Sequence, residues 1–217
     1  MYQKEVIAQT EAHVRRTLEG DGTGHDWWHI DRVRNTSLTI AREENADVYT
    51  VELGALLHDI ADWKFYGGDV SVGPQKAHEW LASLIVDSHI IERVSHIVEH
   101  VSFKGANVVS TIQTLEGKIV QDADRLDAIG AIGIARAFTY GGNKGRLLYD
   151  PEASVEMHTS FESYKKGSAS TIHHFSEKLL LLKDRMNTSA GKQLAEQRHA
   201  FMELYLKQFH HEWKSTC

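Results

Sequence analysis

The sequence predicts an all-α protein that folds as a single helical domain. Only two of its 217 residues are proline, and residues that favour helices, such as alanine, leucine, glutamate and lysine, are frequent. Apolar residues also recur at helical spacing over several long segments. A chain of this length can bury a sizeable core, and neither a repeat nor an interdomain linker divides it. We therefore predict one domain over residues 1–217.

Composition restricts the classes of partner and compartment. The net charge of -6 argues against a dedicated nucleic-acid binder, which usually carries a basic excess. The single cysteine, Cys217, permits no internal disulfide. The N-terminal residues lack the apolar run of a signal peptide, and no stretch reaches the roughly 18 apolar residues of a membrane span. We expect a cytoplasmic enzyme or binding protein, without a nucleic-acid or membrane partner.

The first half of the chain predicts five helices. Asp26 follows a glycine-rich turn and is a suitable N-cap, as is Asp47. Pro74 suits the first turn of a helix. The predicted helices run over residues 2–19, from Asp26 to about Glu44, from Asp47 to the His58-Asp59 pair, from Pro74 to about Val86, and from about His89 to Val101.

The second half predicts helices interrupted by one irregular region. Residues 112–140 are expected to be helical in two parts, and the small residues of 128–135 predict the most buried helix face in the chain. Residues 141–167 are rich in glycine and predict a long excursion that serves as a lid. The C-terminal region, 170–214, is predicted to hold one helix from Ser170 to about Met186 and another that begins at Thr188 and ends near Trp213.

The buried helix over residues 52–62 ends with His58 and Asp59 side by side. Adjacent helical residues point about 100° apart, so the two side chains converge only on an object between their directions. A bound cation accepts an imidazole and a carboxylate, and it offsets the cost of burying the carboxylate. The dipeptide alone leaves a simple capped helix end as an alternative.

Two further residues, His29 and Asp124, lie in or near predicted buried helices. Two imidazoles and two carboxylates suit a divalent ion such as Mn²⁺, Fe²⁺, Zn²⁺ or Mg²⁺. Four protein ligands on an ion that prefers six leave two positions for water and substrate. This is the arrangement of a catalytic metal rather than a structural one.

The ordered set resembles the HD superfamily of metal-dependent phosphohydrolases, and in particular its small single-domain YpgQ/YedJ-like bacterial branch. The resemblance implies an HD-type helical bundle with a metal-binding core over about 25–140. It also implies that His29, His58, Asp59 and Asp124 are the metal ligands. The motifs that carry it are HDWWH at 25–29, LHDIAD at 57–62, SFKG at 102–105, DADRLDA at 122–128 and KDRMNT at 183–188.

The resemblance also implies an activity. Many cyclic-nucleotide and signalling members carry lysine where this chain has Asp62, whereas HD 5′-nucleotidase-type members carry an acidic residue there. We therefore expect Asp62 to orient or deprotonate the attacking water. The branch implies a nucleoside triphosphate pyrophosphohydrolase that gives the monophosphate and pyrophosphate. The expected cofactor is Mn²⁺, with Mg²⁺, Fe²⁺, Co²⁺, Ni²⁺ and Zn²⁺ as the other candidates.

Further candidate residues surround these motifs. Asp127, three residues after Asp124, is a candidate proton donor or positioning group, with an exposed carboxylate paired with Arg125 or a neighbour as the alternative. His96 and His100, at helical i and i+4 positions, leave open whether a second metal binds. The candidate phosphate-binding cations are Lys64, Lys104, Lys144 and Arg146.

Three other functions remain open at this point. They are a nucleoside 5′-monophosphatase, a cyclic-nucleotide phosphodiesterase and a non-catalytic, metal-bound nucleotide sensor. A helical scaffold with an inert metal is a further alternative. The sequence also leaves a homodimer open.

Overall fold

The computed structural model describes residues 2–19, 26–61, 69–102, 111–154 and 170–215. Every regular element in these ranges is helical, which confirms the predicted all-α class. The α-helices are α1 (Tyr2–Thr17), α2 (Trp27–Glu43), α3 (Val48–Leu57), α4 (Val72–Ser83), α5 (Ser88–His100), α6 (Leu115–Asp127), α7 (Gly130–Asn143), α8 (Thr171–Glu177) and α9 (Ser189–Trp213). Two 3₁₀ turns, Leu179–Leu181 and Lys183–Arg185, connect α8 to α9.

Backbone contacts divide the chain into two compact units. The first unit comprises Met1–Phe103 and Ser110–Asp124, and the second comprises Lys104–Val109 and Arg125–Cys217. The assignment of all 217 residues to one domain stays a prediction. No helix within the described ranges combines the length and apolar character that crossing a membrane requires.

Helix α3 forms the centre of the first unit. Its side chains are buried on nearly all sides, as expected for a helix that is apolar all round. It packs against α1, α2 and α5. A Cβ atom added at Gly54 would lie 3.1 Å from Ile97 of α5 and 3.5 Å from Val120 of α6. The missing side chain therefore lets both helices approach α3 closely, one turn before its C-terminal end.

Side chains fix the beginnings of the helices in the first unit. Asp26 caps α2 and Asp47 caps α3, as the sequence predicts. Arg93 of α5 then joins two of these segments, because its guanidinium lies 3.2 Å from Asp47 and 2.7 Å from Glu116. Through these contacts, Arg93 holds the start of α3 close to α5 and to the first turn of α6.

The second unit is built on α7, α8 and α9. Phe138, Phe175 and Tyr205 form an aromatic cluster with ring centroids 6.1–6.2 Å apart. Gly130 adopts a φ of +74° at the start of α7, and Arg198 of α9 leaves only 3.0 Å for a Cβ there. Glycine is therefore required both by the backbone conformation and by the close approach.

The predicted burial of residues 128–135 is only partly correct, because Gly130, Gly133 and Ile134 are buried but the opposite side of α7 is not. Ala131, Ile132 and Ala135 are exposed, Ile132 by 45%. The glycines let other segments approach α7 closely on one side only, and the other side of the helix faces solvent. The most buried helix is α3 instead.

The predicted helix from Ser170 to Met186 is only partly correct. Its α-helical part ends at Glu177, because Lys178 adopts φ -139° and ψ -58°. The chain continues as two 3₁₀ turns, and Phe175, Leu179, Leu182 and Met186 are nevertheless buried. A 3₁₀ helix has about three residues per turn, so apolar side chains at this spacing can still face the core.

The predicted start of the lid also needs correction, because α7 continues to Asn143. Leu147 then forms an isolated bridge with Ser170. Residues 155–169 lie outside the described residues, so the lid stays a prediction.

Candidate metal centre

His58 occupies the C-cap position of α3, where burial and a backbone hydrogen bond fix its ring. Its Nδ1 atom lies 2.8 Å from the carbonyl oxygen of Ala55. A carbonyl oxygen only accepts hydrogen bonds, so Nδ1 carries the proton. The neutral ring then presents the lone pair of Nε2, which is the form that a metal ion binds.

His29 lies in the first turn of α2, and its side chain is fully buried. The carboxylate of the N-cap, Asp26, accepts a hydrogen bond of 3.0 Å from the backbone N–H of His29. This cap fixes the first turn of the helix and hence the direction in which the imidazole leaves the backbone. The Nε2 atoms of His29 and His58 lie 3.2 Å apart.

Two carboxylates complete the group. The Nε2 atom of His29 lies 3.5 Å from Asp59 and 3.6 Å from Asp124. The Nε2 atom of His58 lies 3.8 Å and 3.9 Å from the same two carboxylates. Residues from α2, the end of α3 and the last turns of α6 therefore converge on one point within the first unit.

The donor set fits a divalent cation. Ligand atoms that surround one ion at bonds of about 2.1 Å lie roughly 3.0–3.5 Å apart, close to the separations seen here. A positive charge between the two imidazole nitrogens would also offset the negative charge of the two carboxylates. Imidazole and carboxylate ligands together accept several first-row divalent metals.

The exposure of the four side chains is uneven. Both imidazoles are buried, whereas the side chain of Asp59 is 14% exposed and that of Asp124 is 27% exposed. Solvent therefore reaches the group from its carboxylate side. This opening suits a metal that exchanges water and substrate, and a closed structural site would lack it.

Asp127 is buried in the second unit, where its carboxylate lies 2.7 Å from the guanidinium of Arg136 on α7. The carboxylate is ion-paired, as the alternative expected, but it is buried rather than exposed and its partner is Arg136 rather than Arg125. This contact does not test the expected catalytic role, which stays a prediction.

The predicted substrate-binding cations are only partly described. Lys144 and Arg146, in the second unit, lie 5.8 Å and 5.4 Å from the ring centroid of Tyr140. Their contact with a phosphate stays a prediction. Asp62, Lys64 and Lys104 lie outside the described residues.

Sequence reasoning missed two partners of the predicted residues. Ala55 is a local partner, and its position three residues before a histidine at a helix C-terminus could have revealed it. Arg136 lies nine residues after Asp127, beyond the reach of helical periodicity within α6, and no pattern in the sequence pairs the two residues.

Comparison with known proteins agrees with this geometry. The model of the HD domain family matches residues 27–129, which include all four candidate ligands. Bacillus subtilis YpgQ is 39% identical over 201 residues, which cover 92% of this chain and 90% of YpgQ. The chain belongs to the HD domain family.

Solved structures of HD proteins support the same assignment. An HD-superfamily hydrolase from Bacillus thuringiensis is 42% identical with a TM-score of 0.76, and 98% of each chain is covered. A crystal structure of Bacillus subtilis YpgQ in complex with ADP gives 36% identity and a TM-score of 0.78, covering 98% of this chain and 97% of YpgQ. The predicted HD-type fold is confirmed. The chain is an HD-superfamily hydrolase. HD domains bind divalent metals, and this chain holds a His/Asp group of that kind, but the assignment of its four residues as the metal ligands stays a prediction.

Proposed function

We propose that this HD hydrolase is a divalent-metal-dependent phosphohydrolase that converts a nucleoside triphosphate into the monophosphate and pyrophosphate. The observation that carries the proposal is the convergence of His29, His58, Asp59 and Asp124 in a group open to solvent on its carboxylate side. The ADP complex of the relative YpgQ supports a nucleotide as substrate. The chemistry of the donor set supports Mn²⁺ among the divalent metals.

The residues of the centre have separate tasks in this proposal. His29, His58, Asp59 and Asp124 would hold a divalent cation, which would supply the acidity that activates a water and the positive charge that polarises a phosphoryl oxygen. His58 keeps its Nε2 lone pair available through the bond to Ala55, and the capped first turn of α2 orients His29. Asp59 and Asp124 supply negative charge on the side where solvent enters.

Hydrolysis forms one bond from water oxygen to phosphorus and breaks the anhydride between the α- and β-phosphates. The water loses a proton, and pyrophosphate leaves with the electrons of the broken bond. In our proposal Asp62 accepts or directs that proton, and Asp127 supplies or positions a proton near the leaving group. Lys64, Lys104, Lys144 and Arg146 are proposed to offset the charge that develops on the phosphoryl oxygens.

The test is a product assay on chelator-stripped protein reloaded with Mn²⁺. A panel of nucleoside mono- and triphosphates is supplied, and phosphate and pyrophosphate are measured separately. Pyrophosphate release from triphosphates, lost in His58→Ala and retained in His89→Ala, is the expected result. His89 lies exposed on α5 and serves as a matched histidine control.

Other results would replace the proposal in defined ways. Phosphate release from monophosphates would assign the chain to the nucleotidases. Nucleotide binding without turnover would favour a sensor, and Asp62→Ala would then leave nucleotide affinity unchanged. If neither product forms and His58→Ala behaves like the wild type, the phosphohydrolase proposal is wrong.

A further inference from the structure

The C-terminal end of α5 carries a second group of side chains of the types that bind metals. It shares no residue with the group of His29, His58, Asp59 and Asp124, called the HD centre below. His96, Glu99 and His100 each offer one ligand atom, and the three atoms lie within 4.8 Å of one another. The two imidazole centroids are 4.2 Å apart and their planes are inclined by 34°. A carboxylate oxygen of Glu99 lies 3.6 Å from Nδ1 of His100.

The helix itself brings these side chains together. Residues at i and i+4 lie on one side of a helix, so the His96 and His100 rings face the same region. Gln121 of α6 donates hydrogen bonds of 3.2 Å and 3.1 Å to the carbonyl oxygens of His100 and Val101. The backbone below the group is therefore held in place, and only side-chain rotations are needed to close it around an ion.

The electrostatic surroundings also favour a cation. The group lies at the C-terminal end of α5, where the helix dipole stabilises positive charge. Arg93, which lies three residues before His96, directs its guanidinium to Asp47 and Glu116. Two carboxylates therefore offset the positive charge of Arg93, which reduces its repulsion of an ion bound near His96.

We propose that His96, Glu99 and His100 form a second divalent-cation site, selective for Zn²⁺ over Mn²⁺. Two imidazoles and one carboxylate are a ligand set that zinc uses with a water molecule in its fourth position. His96 and His100 are half-buried and Glu99 is exposed, so the group lies at the edge of the core rather than within it.

The expected selectivity follows from the donors. The HD centre offers two nitrogens and two carboxylates, whereas this group offers two nitrogens and one carboxylate. Fewer hard oxygen ligands disfavour Mn²⁺, and zinc lies well above manganese in the general affinity order of divalent metals. We therefore expect zinc to fill both sites and manganese only the HD centre.

The test counts bound metal and does not depend on turnover. Chelator-stripped wild type, His58→Ala, the double variant His96→Ala/His100→Ala and His89→Ala are titrated with Zn²⁺ by calorimetry. Bound zinc is also counted by elemental analysis after dialysis, and circular dichroism checks that each variant is helical. The double variant is expected to bind one zinc fewer than the wild type, and His89→Ala to bind as many as the wild type.

The His58→Ala variant separates the two sites. It should keep the zinc of the α5 site, with the affinity changed less than threefold, even if the proposed phosphohydrolase activity is absent from every protein tested. Removal of both α5 histidines in addition should abolish that remaining zinc. Equal zinc stoichiometry and affinity in the wild type and in the double variant would overturn the proposal.

Discussion

The Nδ1–H group of His58 donates a 2.8 Å hydrogen bond to the carbonyl oxygen of Ala55, three residues earlier in α3. This bond uses one of the last carbonyl groups of the helix, and it turns the Nε2 lone pair toward His29. A backbone contact within one helix therefore determines which nitrogen of His58 faces the metal centre.

Replacing His58 by alanine should weaken metal binding and turnover together. The ring supplies one of four converging ligand atoms, and even partners outside the first coordination sphere typically change affinity by about 10–100-fold. We expect a loss of Mn²⁺ affinity of at least about 100-fold, measured by calorimetry. An unchanged affinity would exclude His58 as a ligand, and His89→Ala is the control.

Removal of the metal should destabilise the folded protein. An ion at about 100 times its dissociation constant contributes about 2.7 kcal/mol to the folded state. In a chain of this size we expect a fall of about 5–10 °C in the melting temperature when a chelator removes Mn²⁺. Thermal unfolding followed by circular dichroism measures this change. The chelator should have little effect on Mn²⁺-treated His58→Ala, because the α5 site is not expected to hold manganese.

A methyl group at position 54 should disturb the core beneath the metal centre. The Cβ of Gly54→Ala would lie 3.1 Å from the side chain of Ile97, which must then move by a few tenths of an ångström within the core. Overpacking of this kind costs about 1–3 kcal/mol in free energy of unfolding. Gly142→Ala on α7 is the matched control, since no atom lies within 4 Å of its added Cβ. It should be neutral or stabilising by up to about 1 kcal/mol, because alanine favours helices. Urea unfolding of both variants measures the difference, and equal stabilities would contradict the packing argument.

The Arg93–Glu116 pair should make stability depend on pH in the acid range. Burial alone raises the pKa of Glu116, but the hydrogen bond from Arg93 and the other donors outweigh it, so the pKa is lowered from its usual 4.5. A carboxyl whose pKa is lowered on folding stabilises the protein above its unfolded pKa, and this contribution is lost as the pH falls through the folded pKa.

The pH prediction is tested with Glu116→Gln. At neutral pH this variant should lose about 1–2 kcal/mol of unfolding free energy, since a hydrogen bond to a charged group is replaced by a neutral one. The difference in unfolding free energy between the variant and the wild type should narrow as the pH falls below about 4.5, the usual pKa of the side chain. Glu92→Gln, at an exposed position of α5, is the control and should show no such difference. If the difference in unfolding free energy stays constant down to acid pH, the charged Arg93–Glu116 pair is not its cause.

Asp127 offers a test that separates stability from catalysis. Asp127→Asn and Arg136→Gln both break the partly buried ion pair, and removing one partner of a fully buried pair costs about 3–5 kcal/mol, which is an upper bound here. Both variants should therefore unfold at lower urea concentration. If Asp127 also serves the reaction, only Asp127→Asn should reduce kcat by more than about 10-fold at a temperature where both variants are folded. Equal kcat values would leave Asp127 with a structural role alone.

The sequence predicted the features that depend on short segments of chain. Asp26 and Asp47 cap helices as expected, because a cap involves atoms only two or three residues apart. The last helix begins directly after Thr188, close to its predicted start. The separation of α6 from α7 follows in the same way from local signals. The His58-Asp59 pair could be recognised because its two residues are adjacent.

The tertiary structure decided everything that depends on which segments meet. The exposed side of α7, the division of the 170–186 segment into α8 and two 3₁₀ turns, and the pairing of Asp127 with Arg136 all result from packing within the second unit. The order of His29, His58, Asp59 and Asp124 was visible in the sequence. Their convergence required α2, α3 and α6 to pack together, since burial and electrostatic balance are set by contacts between residues far apart in the chain.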